Sequence, residues 1–439
     1  DTKYGTFQSS PEFFFNWYDT DDPGYEADPD RTRLGTFIDD VFPKEKLLNV
    51  ISNFIEYEDT GKEIIKKIGR KHQIEGVNKL VKRAEEIYDT EERRIGTVFH
   101  GTGSGKSMTM IFFSEIISRS EKLENPTIVV VTDRTDLDEQ LSDFFEIAGF
   151  PFAKPSGEHG ILREAQDIPN LREELKIPAG NIIFSTIQKF QTTKEERKRK
   201  EKFPQLSDRK NIVLICDEAH RSQYRKLAQN LRRAFPNALR IGFTATPIEK
   251  DDRETVHEFG PVISTYTQSQ SVKDGTTVKI RYEGRLLPLH ILNRFIGKEF
   301  AECTEHLSEE ATEALAKKWT SLVTLVERKE RMEQIAKDLV FHFNEKKVVF
   351  PQGKAMLCAS TKMAAAKYFE YINKIPNHPK CICVISSGEG KNKKKKKTKD
   401  DIKKEAYLKP HYRSKKEIKD LIDDFKDEDN DYELLIVCD

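Results

Sequence analysis

The chain has 439 residues, 74 Lys and Arg against 74 Asp and Glu, a formal net charge of +0, and 37% hydrophobic residues. That length exceeds what one hydrophobic core organises, and a length prior gives about three domains. Balanced charge excludes a global polyanion-binding surface, so any nucleic-acid contact has to be local. No apolar run approaches the ~18 residues of a membrane span and no signal peptide is visible, so no membrane partner is expected. The six cysteines, Cys216, Cys303, Cys358, Cys381, Cys383 and Cys438, contain no C-x-x-C pair. Cys381 and Cys383 fall on one face of a predicted strand, and all six read as buried, reduced thiols of a cytoplasmic protein. The chain starts at Asp1 without methionine and stops at Asp439 straight after a strand-like run, so both ends are expected to continue into something larger.

Residues 1–60 are aromatic-rich and irregular up to a predicted helix over 44–57, where Leu47, Leu48, Ile51, Phe54 and Ile55 fall at helical spacing. Residues 1–65 read as a packing arm whose carboxylates form no metal-nuclease grouping. A further helix is expected from about Lys71, within 66–86. Arg70 and Gln73 stand ahead of it or in its first turn. A Gln amide can pair with both the donor and the acceptor of an adenine edge, which would select ATP over GTP; the plainer alternative is a residue on the helix surface.

The stretch Thr97 to Ile111, TVFHGTGSGKSMTMI, reads strand, glycine-rich turn, helix. Gly101, Gly103 and Gly105, with Thr102 and Ser104 between them, precede Lys106 and Ser107. Glycines let a backbone approach a phosphate chain closely, and the N–H groups of the turn and of the helix start then face the anion. Lys106 would reach the β- and γ-phosphates and Ser107 would ligate Mg²⁺. His100 stands where the general phosphate-loop pattern has its first glycine. The bland alternative is a turn leading into a core helix.

From there to about Ser264 apolar strands alternate with helices: 127–132, 181–186, 211–216 and 239–244 are near-continuous apolar runs. Such runs predict parallel strands buried on both faces, with ligands beyond their carboxyl ends. Polar groups cluster at those ends. Asp133 and Arg134 follow the first run, Thr186 to Lys189 the second, Asp217-Glu218-Ala219-His220 the third, and Thr244-Ala245-Thr246-Pro247 the fourth. Asp217, closing a strand beside a phosphate loop, is placed to hold Mg²⁺, and Glu218 to polarise an attacking water as general base. His220 either couples nucleotide state to the Thr244–Thr246 segment or is a polar residue at a helix start.

The ordered set HGTGSGKS, VVTDRTDLDEQ, STIQKF, DEAHRSQ and GFTATP resembles the superfamily 2 helicases and translocases, with DEAH as its third-strand motif. More narrowly it is similar to the motor of the restriction (R) subunit of type I restriction–modification enzymes. DRTDLDEQ (133–140), STIQKF (185–190), DEAHRSQ, RKHQ (70–73), LLNVISNFIEYE (47–58) and His100 itself carry that narrower likeness. The resemblance implies a P-loop NTPase fold of the α/β class, with two RecA-like parallel-sheet lobes and ATP and Mg²⁺ as cofactors. It assigns Lys106, Asp217, Glu218 and His220 to catalysis. Arg70, Gln73, Gly101, Thr102, Gly103, Ser104, Gly105, Lys106 and Ser107 bind ATP, and Ser107 and Asp217 hold the metal. Thr244 and Thr246 provide coupling, and Arg134, Thr186 and Lys189 contact DNA. It also implies double-stranded DNA, a modification subunit and a specificity subunit as partners, and a bacterial or archaeal cytoplasm. A nuclease domain precedes the motor in that family, so the nuclease centre is expected outside this chain.

Between 191 and 210, Lys194, Arg197, Lys198, Arg199, Lys200 and Lys202 form a basic run, either a solvated element or a phosphate contact. Residues 265–350 change to strand-like TTVKIRYEGRLLPL (276–289) and then helical patterns; Trp319 reads as a packing anchor. The α/β pattern resumes with strands in 353–360, 380–387 and 432–439, helices between them, and a lysine block at 391–405 expected as a mobile loop, with DNA contact as the alternative. The expected organisation is an arm (1–65), a first ATPase lobe (66–265), a helical connector (266–350) and a partial second lobe (351–439). The expected activity is ATP-driven translocation of double-stranded DNA leading to remote cleavage. Two alternatives stand beside it: a general superfamily 2 helicase or type III restriction motor, and a nucleotide-gated binding module within a larger assembly.

Overall fold

The computed structural model describes residues 3–4, 15–17, 33–59, 64–132, 141–142, 145–146, 162–164, 168–175, 180–192, 196, 198–199, 201–217, 229–246, 253–285, 327–386, 399–427 and 430–438. Arg134, Glu218, His220, Trp319, Cys303, Lys194, Arg197, Lys200 and residues 391–398 lie outside them. The chain divides into two compact units, Asp1–Arg281 and Tyr282–Asp439.

The first unit opens with a short antiparallel pair, β1 (Lys3–Tyr4) and β2 (Phe15–Asn16), followed by helices α1 (Arg33–Val41) and α2 (Lys44–Asn53). The helix expected over 44–57 ends at Asn53. Phe54 caps it and is fully buried, and the chain turns into a hairpin of β3 (Ile55–Asp59) and β4 (Ile64–Ile68). The apolar residues past Phe54 obey the two-residue period of a strand, which wins once the chain has a partner to pair with. Leu48 and Ile51 stay exposed, so α2 buries Val50 and its end rather than the whole expected stripe.

Helix α3 (Lys71–Ile87) then leads to the main sheet. Its strands are β5 (Arg94–His100), β6 (Thr127–Thr132), β7 (Leu162–Glu164), β8 (Ile182–Thr186), β9 (Ile212–Cys216), β10 (Leu239–Thr244) and β11 (Val262–Tyr266). They pair in the order β11-β5-β10-β9-β6-β8-β7, every pairing parallel. The sheet is covered on both faces, as continuous apolar strands require. Ile128 and Val130 pack with Val77 and Leu80 of α3 and with Phe112 and Phe113 of helix α4 (Lys106–Ser118). Val129 and Val131 point to the other face, against Phe190, Phe203, Leu231 and Phe235. Because all seven strands run one way, their carboxyl ends share one edge, where the described part of the polar motifs (186–189, Asp217 and 244–246) stands.

The second unit holds a four-stranded parallel sheet, ordered β12 (Ala355–Ala359), β15 (Leu434–Cys438), β13 (Cys381–Ser386), β14 (Tyr412–Arg413). Alternation sorts its faces. Cys381, Cys383 and Ile385 meet the helices Lys329–Val349 and Lys362–Ile372, whereas Ile382 and Val384 meet Ile418, Leu421 and Phe425 of the helix Lys415–Lys426. The helix Lys329–Val349, from the expected connector, thus contributes Met332, Ala336 and Val340 to this core. The two parallel sheets with flanking helices are the RecA-like α/β fold expected.

Three expectations need correction. Residues 399–405 of the expected loop 391–405 lie in the helix Lys399–Leu408, and the rest of that stretch is outside the described residues. The described part of 276–289 forms no strand, and Val278, Ile280 and Tyr282 alternate in the expected way but stand exposed, since alternation supplies two faces and not a partner. Cys358 is exposed rather than buried, because it shares with Met356 the face of β12 opposite Ala355, Leu357 and Ala359, which pack in the core, and Cys438 is half-buried. Cys381 and Cys383 do share a buried face, and burial pushes their thiols up to about 12 and about 11. Among the described residues there is no metal-binding cluster of His, Cys, Asp or Glu, and no helix is long and apolar enough to cross a membrane.

Candidate functional site

The glycine-rich turn links β5 to α4 at the carboxyl edge of the main sheet. Gly103 (φ 77°) and Gly105 (φ 85°) take the left-handed conformation that glycine alone adopts without strain. Gly105 caps α4, so Lys106 and Ser107 occupy its first turn, where N–H groups have no intrahelical acceptor. Lys106 Nζ lies 3.3 Å from Asp217 Oδ1. The sequence separates these two by 111 positions; the order β5-β10-β9 brings them together. Asp217 follows β9 directly, and its own N–H donates to Val131 O (2.9 Å), so its backbone is held at the sheet edge.

Helix α3 reaches the turn from one side. Gln73 is buried rather than on the helix surface. Its Oε1 accepts from Arg70 N–H (2.8 Å), closing the helix start, and its Nε2 donates to Gly105 O (3.0 Å). Each amide atom keeps one further hydrogen-bonding position. His72 Nε2 contacts Ser104 O at 3.2 Å. The segment after β11 reaches the turn from the other side. Tyr266 O accepts from Gly101 N–H (2.9 Å), Gln268 packs against Gly101, and Thr277 lies where a side chain on Gly103 would go. Thr277 is held by donation to Ser271 Oγ (2.8 Å).

His100 ends β5 fully buried, its Nε2 2.8 Å from Ser264 Oγ and its ring edge-on to His72. Burial, followed by the nearby charge of Lys106, lowers it to about 4, so it is neutral at physiological pH. His72 is likewise held well below the ordinary imidazole range by burial and then by His100.

The remaining expected residues lie along the same edge. Thr244 ends β10 opposite Phe99 of β5, and its Oγ1 accepts from Thr246 N–H (3.3 Å), a compact turn beside the glycine loop. Thr186 ends β8 with only 2% exposure, paired in register with Thr132. Lys189 follows on the short turn Ile187–Phe190, half-buried. Arg134, Glu218 and His220 fall outside the described residues, so their positions along this edge stay expectations from the sequence. Sequence reasoning missed His72, Ser264, Tyr266 and Thr277. The signal for His72 was present in its place between Arg70 and Gln73; for Ser264 and Tyr266 there was none, since β11 is a half-exposed strand without a motif, and Thr277 lies in the stretch that reads as a strand.

A carboxylate and an ammonium group facing each other beside a loop with two left-handed glycines and a helix N-terminus make a fitting cradle for a polyphosphate with a divalent metal. Lys106 supplies a mobile cation, Asp217 an anionic oxygen for the metal, and Ser107 a hydroxyl on the first turn of α4.

Residues 72–313 match the SWI2/SNF2 ATPase family. Over its whole length the chain is 35% identical to the type I restriction enzyme MjaIXP endonuclease subunit of Methanocaldococcus jannaschii, of which it covers 41%. Over 92% of its length it is 35% identical to the type I restriction enzyme HindI endonuclease subunit of Haemophilus influenzae, of which it covers 38%. The chain therefore spans less than half the length of these relatives. Among solved structures it aligns with the fragment structure of an HsdR subunit of a type I restriction enzyme from Vibrio vulnificus, with a TM-score of 0.43 and 15% identity over 93% of this chain and 59% of that one.

Proposed function

The chain belongs to the SWI2/SNF2 ATPase family, and we propose that it is the ATP-driven motor of a type I restriction endonuclease subunit, moving double-stranded DNA while the assembly stays at its recognition site. The observation that carries this reading is the Lys106–Asp217 pair, 3.3 Å apart beside the glycine loop at the carboxyl edge of a parallel sheet. The names of the 35% identical relatives, type I restriction enzyme endonuclease subunits, support the narrower reading.

In this reading Arg70 and Gln73 face the base, with the spare positions of the Gln73 amide reading adenine. The backbone of Gly101 to Gly105 wraps the phosphates. Lys106 would neutralise phosphate oxygens, and Asp217 with Ser107 would hold Mg²⁺. Bound Mg-ATP supplies the phosphoryl group and the concentrated charge. The chain's residues supply position and neutralisation, which carry most of the rate in phosphoryl transfer. Glu218, next to Asp217 in sequence, takes the proton of the attacking water, and His220 with Thr244 and Thr246 passes nucleotide state to the DNA track. Arg134, Thr186 and Lys189 line that track; Thr186, being buried, requires local opening or acts through its backbone. The DEAH tetrad is read as the acidic motif of this motor. Modification and specificity subunits are the expected partners, and no nuclease role is assigned to the residues of this chain.

The test is ATP hydrolysis by this chain, and by versions extended at both ends, with and without linear duplex DNA. Stimulation by duplex DNA that disappears in Lys106→Ala supports the reading. Normal turnover in Lys106→Ala sinks the site, and an extended protein indifferent to DNA sinks the motor.

A further inference from the structure

We propose that His72 is a positioning residue for the phosphate loop: its Nε2–H holds the Ser104 carbonyl, and a buried frame of Tyr266 and His100 keeps the ring aimed there. This rests on the ATP-binding reading above and goes beyond it, because it adds to the loop's own motif a residue outside it.

The contact fixes the chemistry. A carbonyl only accepts, so His72 Nε2, at 3.2 Å from Ser104 O, carries the proton. The ring has little freedom. One face stacks on Tyr266, centroids 3.7 Å apart and planes within 6°, and its edge meets His100 at 5.1 Å and 81°. Both partners are themselves held. Tyr266 accepts Gly101 N–H on its carbonyl and donates its hydroxyl to Asp274, which caps the helix Gln268–Lys273. His100 is tied to Ser264, two residues before Tyr266 on the same strand. The His100 Nδ1 atom is buried with no hydrogen-bond partner among the described residues. A bare acceptor is tolerated better than a bare N–H, which places the proton on Nε2, facing Ser264. Arg70, Lys106 and Asp274 are the charged groups around this stack, and burial keeps both imidazoles neutral among them.

The consequence for the loop follows from peptide planarity. In a trans peptide the C=O and the next N–H point in opposite directions. Holding Ser104 C=O toward His72 therefore turns Gly105 N–H away from α3. One residue on, Gly105 O already accepts from Thr109 N–H (3.1 Å) and Thr109 Oγ1 (3.2 Å) within α4, and Gln73 Nε2 (3.0 Å) reinforces that hold, so Lys106 N–H points away from them. Neighbouring residues of one helix start thus orient two consecutive N–H donors at the entry to α4. Of the two peptides, Ser104–Gly105 is the one that depends on His72, and because it precedes a glycine at φ 85° it can flip once that bond is removed.

The experiment compares the chain with His72→Phe and His72→Gln. Phenylalanine keeps a ring for Tyr266 and removes the donor; glutamine keeps a donor near the Nε2 position and removes the ring. A fluorescent ATP analogue is displaced by ATP, by GTP and by inorganic tripolyphosphate, and thermal unfolding is followed in parallel. We expect His72→Phe to bind all three about fivefold to tenfold more weakly, the worth of one hydrogen bond, and His72→Gln to recover most of the loss although its unfolding temperature falls further. Unchanged affinity in His72→Phe overturns the proposal. So does a His72→Gln protein as weak as His72→Phe, which makes the ring the active part, or a loss confined to ATP, which makes His72 a reader of the base. If the unsubstituted chain binds none of the three, the ATP reading itself falls, and this proposal with it.

Discussion

Replacing Gly103 by alanine tests whether the segment after β11 closes over the phosphate loop. Gly103 sits at φ 77°, and a Cβ built on it falls 2.3 Å from Thr277 Cγ2. The left-handed conformation costs an L-residue about 1–2 kcal/mol. Forcing a methyl into a filled space adds about 1–3 kcal/mol. Gly103→Ala should therefore lose about 2–5 kcal/mol of stability, or shed part of that by moving the loop and weakening ATP. Thr277→Ser separates the two terms. It removes Cγ2 and keeps the hydroxyl that donates to Ser271 Oγ at 2.8 Å, so alone it should be nearly silent. Combined with Gly103→Ala it should remove the overlap term and leave the backbone term. Chemical unfolding and ATP titration of the four proteins give a double-mutant cycle with an expected coupling of about 1–3 kcal/mol. Additive effects within about 0.5 kcal/mol would refute the reasoning, because Thr277 would then not lie against the loop.

Other consequences are as direct. Lys106→Ala should abolish ATP turnover in steady-state hydrolysis; its partner Asp217 is only 16% exposed, so the change also costs some stability, and far-UV circular dichroism beside the assay shows that the fold is kept. Gln73→Ala should erase the preference for ATP over GTP in a competition titration, and a preference left unchanged removes Gln73 from base reading. His100 is lowered to about 4 against an ordinary 6.5, first by burial and then by Lys106. The unfolded chain therefore binds the proton first as pH falls, and about 3 kcal/mol of stability is lost between pH 6.5 and pH 4. Denaturant midpoints across that range should show the slope, and His100→Asn should flatten it. Glu56 is raised well above the carboxylate range by burial and then by its hydrogen bond with Glu115. Ionising it in the folded state is unfavourable, so Glu56→Gln should raise the unfolding temperature at pH 8, with the gain fading toward pH 4.5.

The parts legible in the sequence are those whose cause is local. Strands buried on both faces must be apolar throughout, so 127–132, 211–216 and 239–244 announced themselves, and the polar residues after them had to stand at one sheet edge. The phosphate loop was legible because its glycines answer to backbone geometry within five residues. What escaped depends on distant partners. Val262–Tyr266 alternates exposed and buried positions and resembles many surface segments, yet it supplies Ser264 and Tyr266, which brace the loop 160 positions and more away. The helix expected over 44–57 was drawn too long because its last apolar residues suit either period, and pairing with Ile64–Ile68 decided for strand.

The departure at His100 follows from the same distinction. A glycine is demanded only where φ is positive or another group presses close, and among the loop's residues the left-handed positions are Gly103 and Gly105. His100 is the last residue of β5, paired in register with Tyr266 in ordinary extended backbone. Its side chain points into the space between β5, β11 and α3, where it meets Ser264 and the edge of His72. A glycine there would leave a hole under His72 and free the ring that holds Ser104. The substitution of histidine for the usual glycine is thus compensated by, and only makes sense with, the residues His72, Ser264 and Tyr266 around it. His100→Gly should on this argument lose more than its own packing: it should weaken tripolyphosphate binding in the same direction as His72→Phe, and the two changes should be less than additive when combined.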